Sequence, residues 1–118
     1  MRDEIILVNE RKGHAMQEVV FLYVTFGLHE QAIQAIDMLI EQKLVACANL
    51  FPTERVFRQD GGIKQVGEVV VLFKTVHECA AKAVHFLQDL HEYDIPCISQ
   101  ANVEVTDSFG QWLIRECA

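Results

Sequence analysis

The chain has 118 residues, 51% of them apolar, and a formal net charge of −7. That length suits one domain and is short for two, and the apolar content excludes a disordered chain. The negative charge removes any general attraction to phosphate backbones or anionic bilayers, which argues against nucleic acid and membrane as partners; no apolar run approaches the ~20 residues of a bilayer span.

Residues 1–17 mix both charge signs around Gly13 and read as a flexible leader. Their apolar stretch, Ile5 to Val8, is too short for the core of a secretory signal. One domain is therefore expected over 18–118, in the cytoplasm. The four widely spaced cysteines (Cys47, Cys79, Cys97, Cys117), with no CxxC pair, are expected as reduced thiols.

Glu18 to Phe26 (EVVFLYVTF) is a nearly continuous apolar run, too short for an amphipathic helix and apt for a central strand. Gly27 breaks it. From Leu28 to Lys43, Ala32, Ile36, Leu39 and Ile40 return at helical spacing, with Glu30, Gln34 and Asp37 on the other side. Leu44 to Phe51 is a second strand, ended or bent by Pro52. Arg55 to Gln59 is extended again, and Asp60-Gly61-Gly62 supplies the positive φ angles of a hairpin turn. Ile63 to Thr75 returns as a strand with an apolar centre. His77 to His91 is a second amphipathic helix, and Tyr93 to Pro96 a turn. Cys97 to Val105 alternates as a strand. Thr106-Asp107-Ser108 has side chains able to cap a last helix, which offers Phe109, Trp112 and Leu113 to an apolar surface.

Strand, helix, strand, strand, helix, strand, helix is the split β-α-β order of a ferredoxin-like α+β sandwich: a four-stranded antiparallel sheet with both main helices on one face. The central hairpin is too long for that frame. A helix over 28–43 spans about 24 Å, whereas an extended 45–59 spans about 50 Å. The projecting part carries Val56, Phe57, Ile63 and Val66, and the second sheet face has only one short helix to cover it. Further copies of the same chain are the economical cover, the alternative being a hairpin curled over its own sheet.

Tyr23-Val24-Thr25, Val45-Ala46-Cys47-Ala48-Asn49, Gly61 at the hairpin tip, Glu68 and Lys74, His91-x-Tyr93-x-x-Pro96 and Trp112 occur in one order and spacing. In these the chain resembles the CutA family of divalent-cation tolerance proteins, over Val19 to Arg115. The resemblance implies a cytosolic ferredoxin-like homotrimer with hairpins and final helices exchanged between subunits, and a link to tolerance of copper and other divalent metal ions. The chain departs from the family pattern at Gln59, where a tryptophan is usual, at Asp94, and at Cys97, where an acid commonly follows the proline. Copper ligands assigned in the family fall at Val24, Leu90 and His91, of which His91 alone carries a donor.

For a metal such as copper, the local candidate is His91 with Asp94 and Cys97, three donors close together at one turn. The competing role for His91 is to end the helix against its terminal carbonyls, with Cys97 a small buried hydrophobe. Cys47 reads as buried and inert; Cys79 and Cys117 read as near solvent. No nucleophile has a base and an orienting group at a meaningful spacing, so an enzyme is not expected. Two functions follow: a trimeric protein of metal-ion tolerance with its ion at a subunit interface, or a signalling trimer resembling the nitrogen-regulatory PII proteins. The latter would hold a small anion or nucleotide in an interface cleft lined by Tyr23, Lys74, His91 and Tyr93. It needs a basic cluster, for which Arg55, Arg58, Lys64 and Lys74 are the candidates.

Overall fold

Apolar runs and helical stripes become seven elements in a computed structural model that describes residues 15–118. They are β1 (Met16–Phe26), α1 (His29–Glu41), β2 (Cys47–Gln59), β3 (Gly62–Thr75), α2 (His77–Leu90), β4 (Ile98–Thr106) and α3 (Asp107–Glu116). The strands form one antiparallel sheet in the order β2-β3-β1-β4. This is the ferredoxin-like arrangement. β1 is central because it is apolar on both faces. Val20, Leu22, Val24 and Phe26 pack with Val71 and Phe73 under α1 and α2, while Val19 packs with Val76 and Leu113 on the other side.

β1 starts at Met16, two residues before the expected Glu18, because Met16 and Gln17 pair with Thr106 and Val105. The rest of the expected leader, residues 1–14, lies outside the described residues. α1 stops short of Lys43 for a local reason. Lys43 takes a φ of 60°, its N–H bonds the Ile40 carbonyl at 2.9 Å, and the Leu44 N–H bonds the Leu39 carbonyl at 2.9 Å. That pair of bonds is a Schellman motif. It turns Leu44 and Val45 into the core, so β2 begins only at Cys47.

Pro52 neither ends nor bends β2, which pairs with β3 continuously from Cys47 to Gln59. β2 is an edge strand, the place where a missing N–H can face away from the ladder. The turn at the tip needs only Asp60 and Gly61, with φ of 52° and 79°; Gly62 already pairs with Gln59. The hairpin does not curl back, and the molecule extends 57 Å along its long axis against 27 and 23 Å across. Val56 (61% exposed) and Ile63 (82%) lie on the projecting part.

α3 lies across the second sheet face. Leu113 is fully buried there, with Phe21, Phe109 and Trp112 packed around it. Gly110 allows the close approach: a Cβ on it would lie 2.6 Å from the Gln17 Oε1. Thr106 makes no side-chain cap; instead the Asp107 N–H bonds the Ala15 carbonyl at 3.1 Å. The rest of that face stays open, with Tyr23 42% and Phe51 47% exposed.

Leu113 is the anchor of α3, so Leu113→Ala is expected to lower stability by about 2–5 kcal/mol in urea unfolding. Trp112 emission should shift to the red in the folded variant, as α3 loosens from the sheet.

Candidate functional site

Where β1 ends, the chain from α2 to β4 folds across it, with the imidazole of His91 between them. His91, the C-cap of α2, is buried. Its Nε2 lies 2.7 Å from the Thr25 carbonyl oxygen, and the Tyr93 N–H points at its Nδ1 from 3.1 Å. A carbonyl only accepts and an amide N–H only donates, so these bonds assign the neutral tautomer with its proton on Nε2. The ring also stacks on Phe26, with centroids 4.8 Å apart. Next to it, Gly27 donates its N–H to Glu92 Oε1 at 3.1 Å. A Cβ on Gly27 would sit 2.9 Å from the Tyr93 hydroxyl, so only glycine leaves the phenol its place.

The Tyr93 hydroxyl thereby reaches β3 and donates to Glu68 Oε2 at 2.9 Å. Glu68 is 4% exposed. A carboxylate so buried needs compensation, and Arg55 on β2 brings its guanidinium to 3.7 Å from the same oxygen. Burial pushes the Tyr93 phenol up from its ordinary value. The hydrogen bond and charge of Glu68 and the charge of Glu92 add to this, and Arg55 opposes it. Tyr93 thus remains a donor at neutral pH. Around this trio lies a cleft of about 430 Å³ lined by Tyr23, Thr25, Thr53, Arg55, Glu68 and Cys97. Its size is that of a small-ligand site, and it offers the carboxylates of Glu54 and Glu68, a guanidinium, hydroxyls and one exposed thiol.

Residues 20–116 match the model of the CutA1 divalent ion tolerance proteins. The chain belongs to that family. It is 30% identical over 99 residues to the divalent-cation tolerance protein CutA of Pyrococcus horikoshii, covering 83% of this chain and 97% of that one. Its fold superposes on the divalent ion tolerance protein CutA1 of Ehrlichia chaffeensis with a TM-score of 0.83 at 30% identity, over 88% of this chain and 99% of that one. The CutA of Archaeoglobus fulgidus, described as a periplasmic divalent cation tolerance protein, gives a TM-score of 0.80 at 28% identity, over 86% and 100% of the two chains. In this CutA-family chain, no helix among the described residues is long and apolar enough to cross a membrane.

The residues singled out in the sequence are only partly brought together. Tyr23 lines the cleft, and Tyr93 bonds Glu68 on its wall without lining it. Lys74 does not join them. It faces the same side of β3 as Glu68 but about 20 Å along the strand, with its Nζ 5.6 Å from the Phe21 ring and 5.7 Å from the Phe109 ring. The other cations, Arg58 and Lys64, sit near the hairpin tip beside Ile63 and Phe57. The expected set His91, Asp94 and Cys97 is not assembled within one chain either. Both His91 ring nitrogens are engaged by backbone groups, and the ring bonds a carbonyl of β1 rather than the end of its own helix. Cys97 is exposed on the cleft wall, its Sγ 3.9 Å from the Ser99 Oγ. Among the described residues, no three His, Cys, Asp or Glu side chains converge as metal donors. The central role of Glu68 went unassigned in the sequence. Its signal there is a lone acid opening the apolar run Val69 to Phe73.

The other three cysteines gather under α3. Cys47, Cys79 and Cys117 are all half-buried, so Cys47 is less enclosed, and the other two less open, than their positions in the sequence imply. Burial raises the Cys47 thiol and Lys74 partly offsets it. Burial pushes Cys117 up to about 11, with Thr75 pulling the other way and Cys79 and Cys47 adding to the rise.

Tyr93→Phe removes the nearest partner of Glu68 and is expected to lower stability by about 1–3 kcal/mol, read as a shifted urea midpoint at unchanged slope. The Cys117 thiol keeps its proton to higher pH when folded than when unfolded. Its contribution to stability is therefore present below pH 9 and lost as pH rises through about 11. Under reducing conditions, the difference between the parent and Cys117→Ser in unfolding free energy should show that fall.

Proposed function

We infer that this chain is a non-enzymatic homotrimer of the cytoplasm that acts in the response to divalent metal ions, copper among them, and that its ion is held in the cleft between subunits. The observation that supports this is the position of the Glu68 cleft. It opens on the uncovered sheet face, beside Tyr23 and Phe51, at the root of a hairpin carrying exposed Val56 and Ile63. Apolar surface of that kind is stabilised by a second copy of the chain, and a copy seated there walls the cleft. The number three is what the family resemblance implies. Within one chain His91 is unavailable, so Cys97 is the soft donor on the cleft wall, and further donors come from the neighbouring subunit.

A second reading rests on Arg55. Its guanidinium is 49% exposed and shares the cleft with the hydroxyls of Thr25 and Thr53, a set suited to a small carboxylate or phosphate effector. On that reading the trimer signals as the PII proteins do.

Native mass spectrometry of the metal-free protein separates these readings. Three chains of 13.4 kDa give about 40 kDa, expected with and without one equivalent of Cu(II) per chain. Copper should be retained by the parent and lost from Cys97→Ala. The pair Val56→Asp with Ile63→Asp should shift the mass toward one chain. A monomeric parent overturns the assembly. A trimer that retains no Cu(II) or Zn(II), yet gains thermal stability from carboxylates or nucleotides, overturns the metal site in favour of the effector.

A further inference from the structure

Apart from the cleft, the molecule holds a second cluster of reactive side chains that the tolerance function leaves unexplained. Cys79 lies in the first turn of α2 and Cys117 at the C-cap of α3. The two residues are far apart in sequence yet meet where the last helix ends. The Cys79 Sγ is 3.8 Å from the Cys117 carbonyl oxygen and 3.6 Å from the Lys43 carbonyl oxygen. The Thr75 Oγ1 lies 3.8 Å from the Cys117 Sγ. Thr75 is itself fixed, donating to the Leu44 carbonyl at 2.7 Å.

We propose that Cys79 and Cys117 are a reversible thiol–disulfide pair that, on exchange with a low-molecular-weight disulfide, locks the end of α3 to the start of α2. The Cys79 thiolate attacks one sulfur of the small disulfide. That S–S bond breaks and one small thiolate leaves. The Cys117 thiol loses its proton and attacks Cys79 in the mixed disulfide; the Cys79–Cys117 bond forms and the second small thiolate leaves. Two protein thiols are oxidised by two electrons, one small disulfide is reduced to two thiols, and the two protein protons end on those leaving groups.

The order of attack follows from the surroundings. Cys117 holds its proton to about 11, so it is the poorer first nucleophile and the resolving partner. Cys47 stands close enough to act on Cys117 electrostatically, but it lies on β2 beside Lys74, beneath the helix. The bond would fix the last turn of α3, which covers Val19, Val76 and Phe21, without touching the Glu68 cleft. It is therefore independent of the metal or effector reading.

The test treats the full chain with oxidised glutathione at pH 8, quenches with an alkylating agent and maps the peptides. The expected result is one intramolecular Cys79–Cys117 link, reversed by dithiothreitol, with a melting temperature raised by at least about 5 °C. Cys47→Ser should keep both the link and the shift, and Cys79→Ser and Cys117→Ser should lose both. A stable glutathione adduct on Cys79 without the link overturns the pair, as does a link through Cys47. Since the map of the unsubstituted chain is itself decisive, a variant that fails to fold does not remove the test.

Discussion

His91 ties the end of β1 to the start of the loop beyond α2 through both of its ring nitrogens. Its Nε2 donates to Thr25 at the end of β1, and its Nδ1 accepts from Tyr93 just beyond α2. The consequences run outward from that ring. The loop cannot shift without breaking one bond or the other, so the phenol of Tyr93 stands where Gly27 leaves room for it. The phenol in turn donates to Glu68, the buried carboxylate that Arg55 also approaches. Protonating the ring would put a second N–H against the Tyr93 amide, so the whole arrangement depends on a neutral imidazole. A residue that looks like a metal ligand in the sequence is here a clamp.

The cleft and the open sheet face belong together for a related reason. α1 and α2 occupy one face, and α3 shields only the part of the other around Val19 and Phe21. The unshielded part carries the cleft, and the hairpin carries apolar residues away from the body. Neither feature stabilises an isolated chain. Both are surfaces that the proposed assembly of several copies would cover.

Much of the fold is legible in the residues, because each element has a single dominant signal. Val19 to Phe26 can only be a central strand, Ala32, Ile36 and Leu39 can only face inward, and Asp60-Gly61 can only turn. Boundaries were less legible where backbone geometry overrode composition. Lys43 adopts a left-handed φ that its side chain does not announce, and Pro52 is harmless because β2 happens to be outermost. The site was the least legible part. Period-two alternation puts Lys74, Glu68 and Tyr23 on one face but says nothing of distance along it, and Lys74 stands outside the cleft. The contact between Glu68 and Tyr93 links residues that neither spacing nor propensity connects. The commitment of His91 to two backbone groups exists only once β1 and the loop have come together.

The strand order has a consequence for how this protein is made. β1, near the start of the chain, sits between β3 and β4, and Met16 pairs with Thr106 across most of the sequence. During synthesis the hairpin can zip locally as it emerges, and α1 can coil. The sheet, however, cannot close until β4 has left the ribosome, because it supplies one whole flank of β1. Until that moment the most apolar strand of the chain has an unpaired edge. The nascent chain is thus most exposed to misassociation between the emergence of β1 and that of β4.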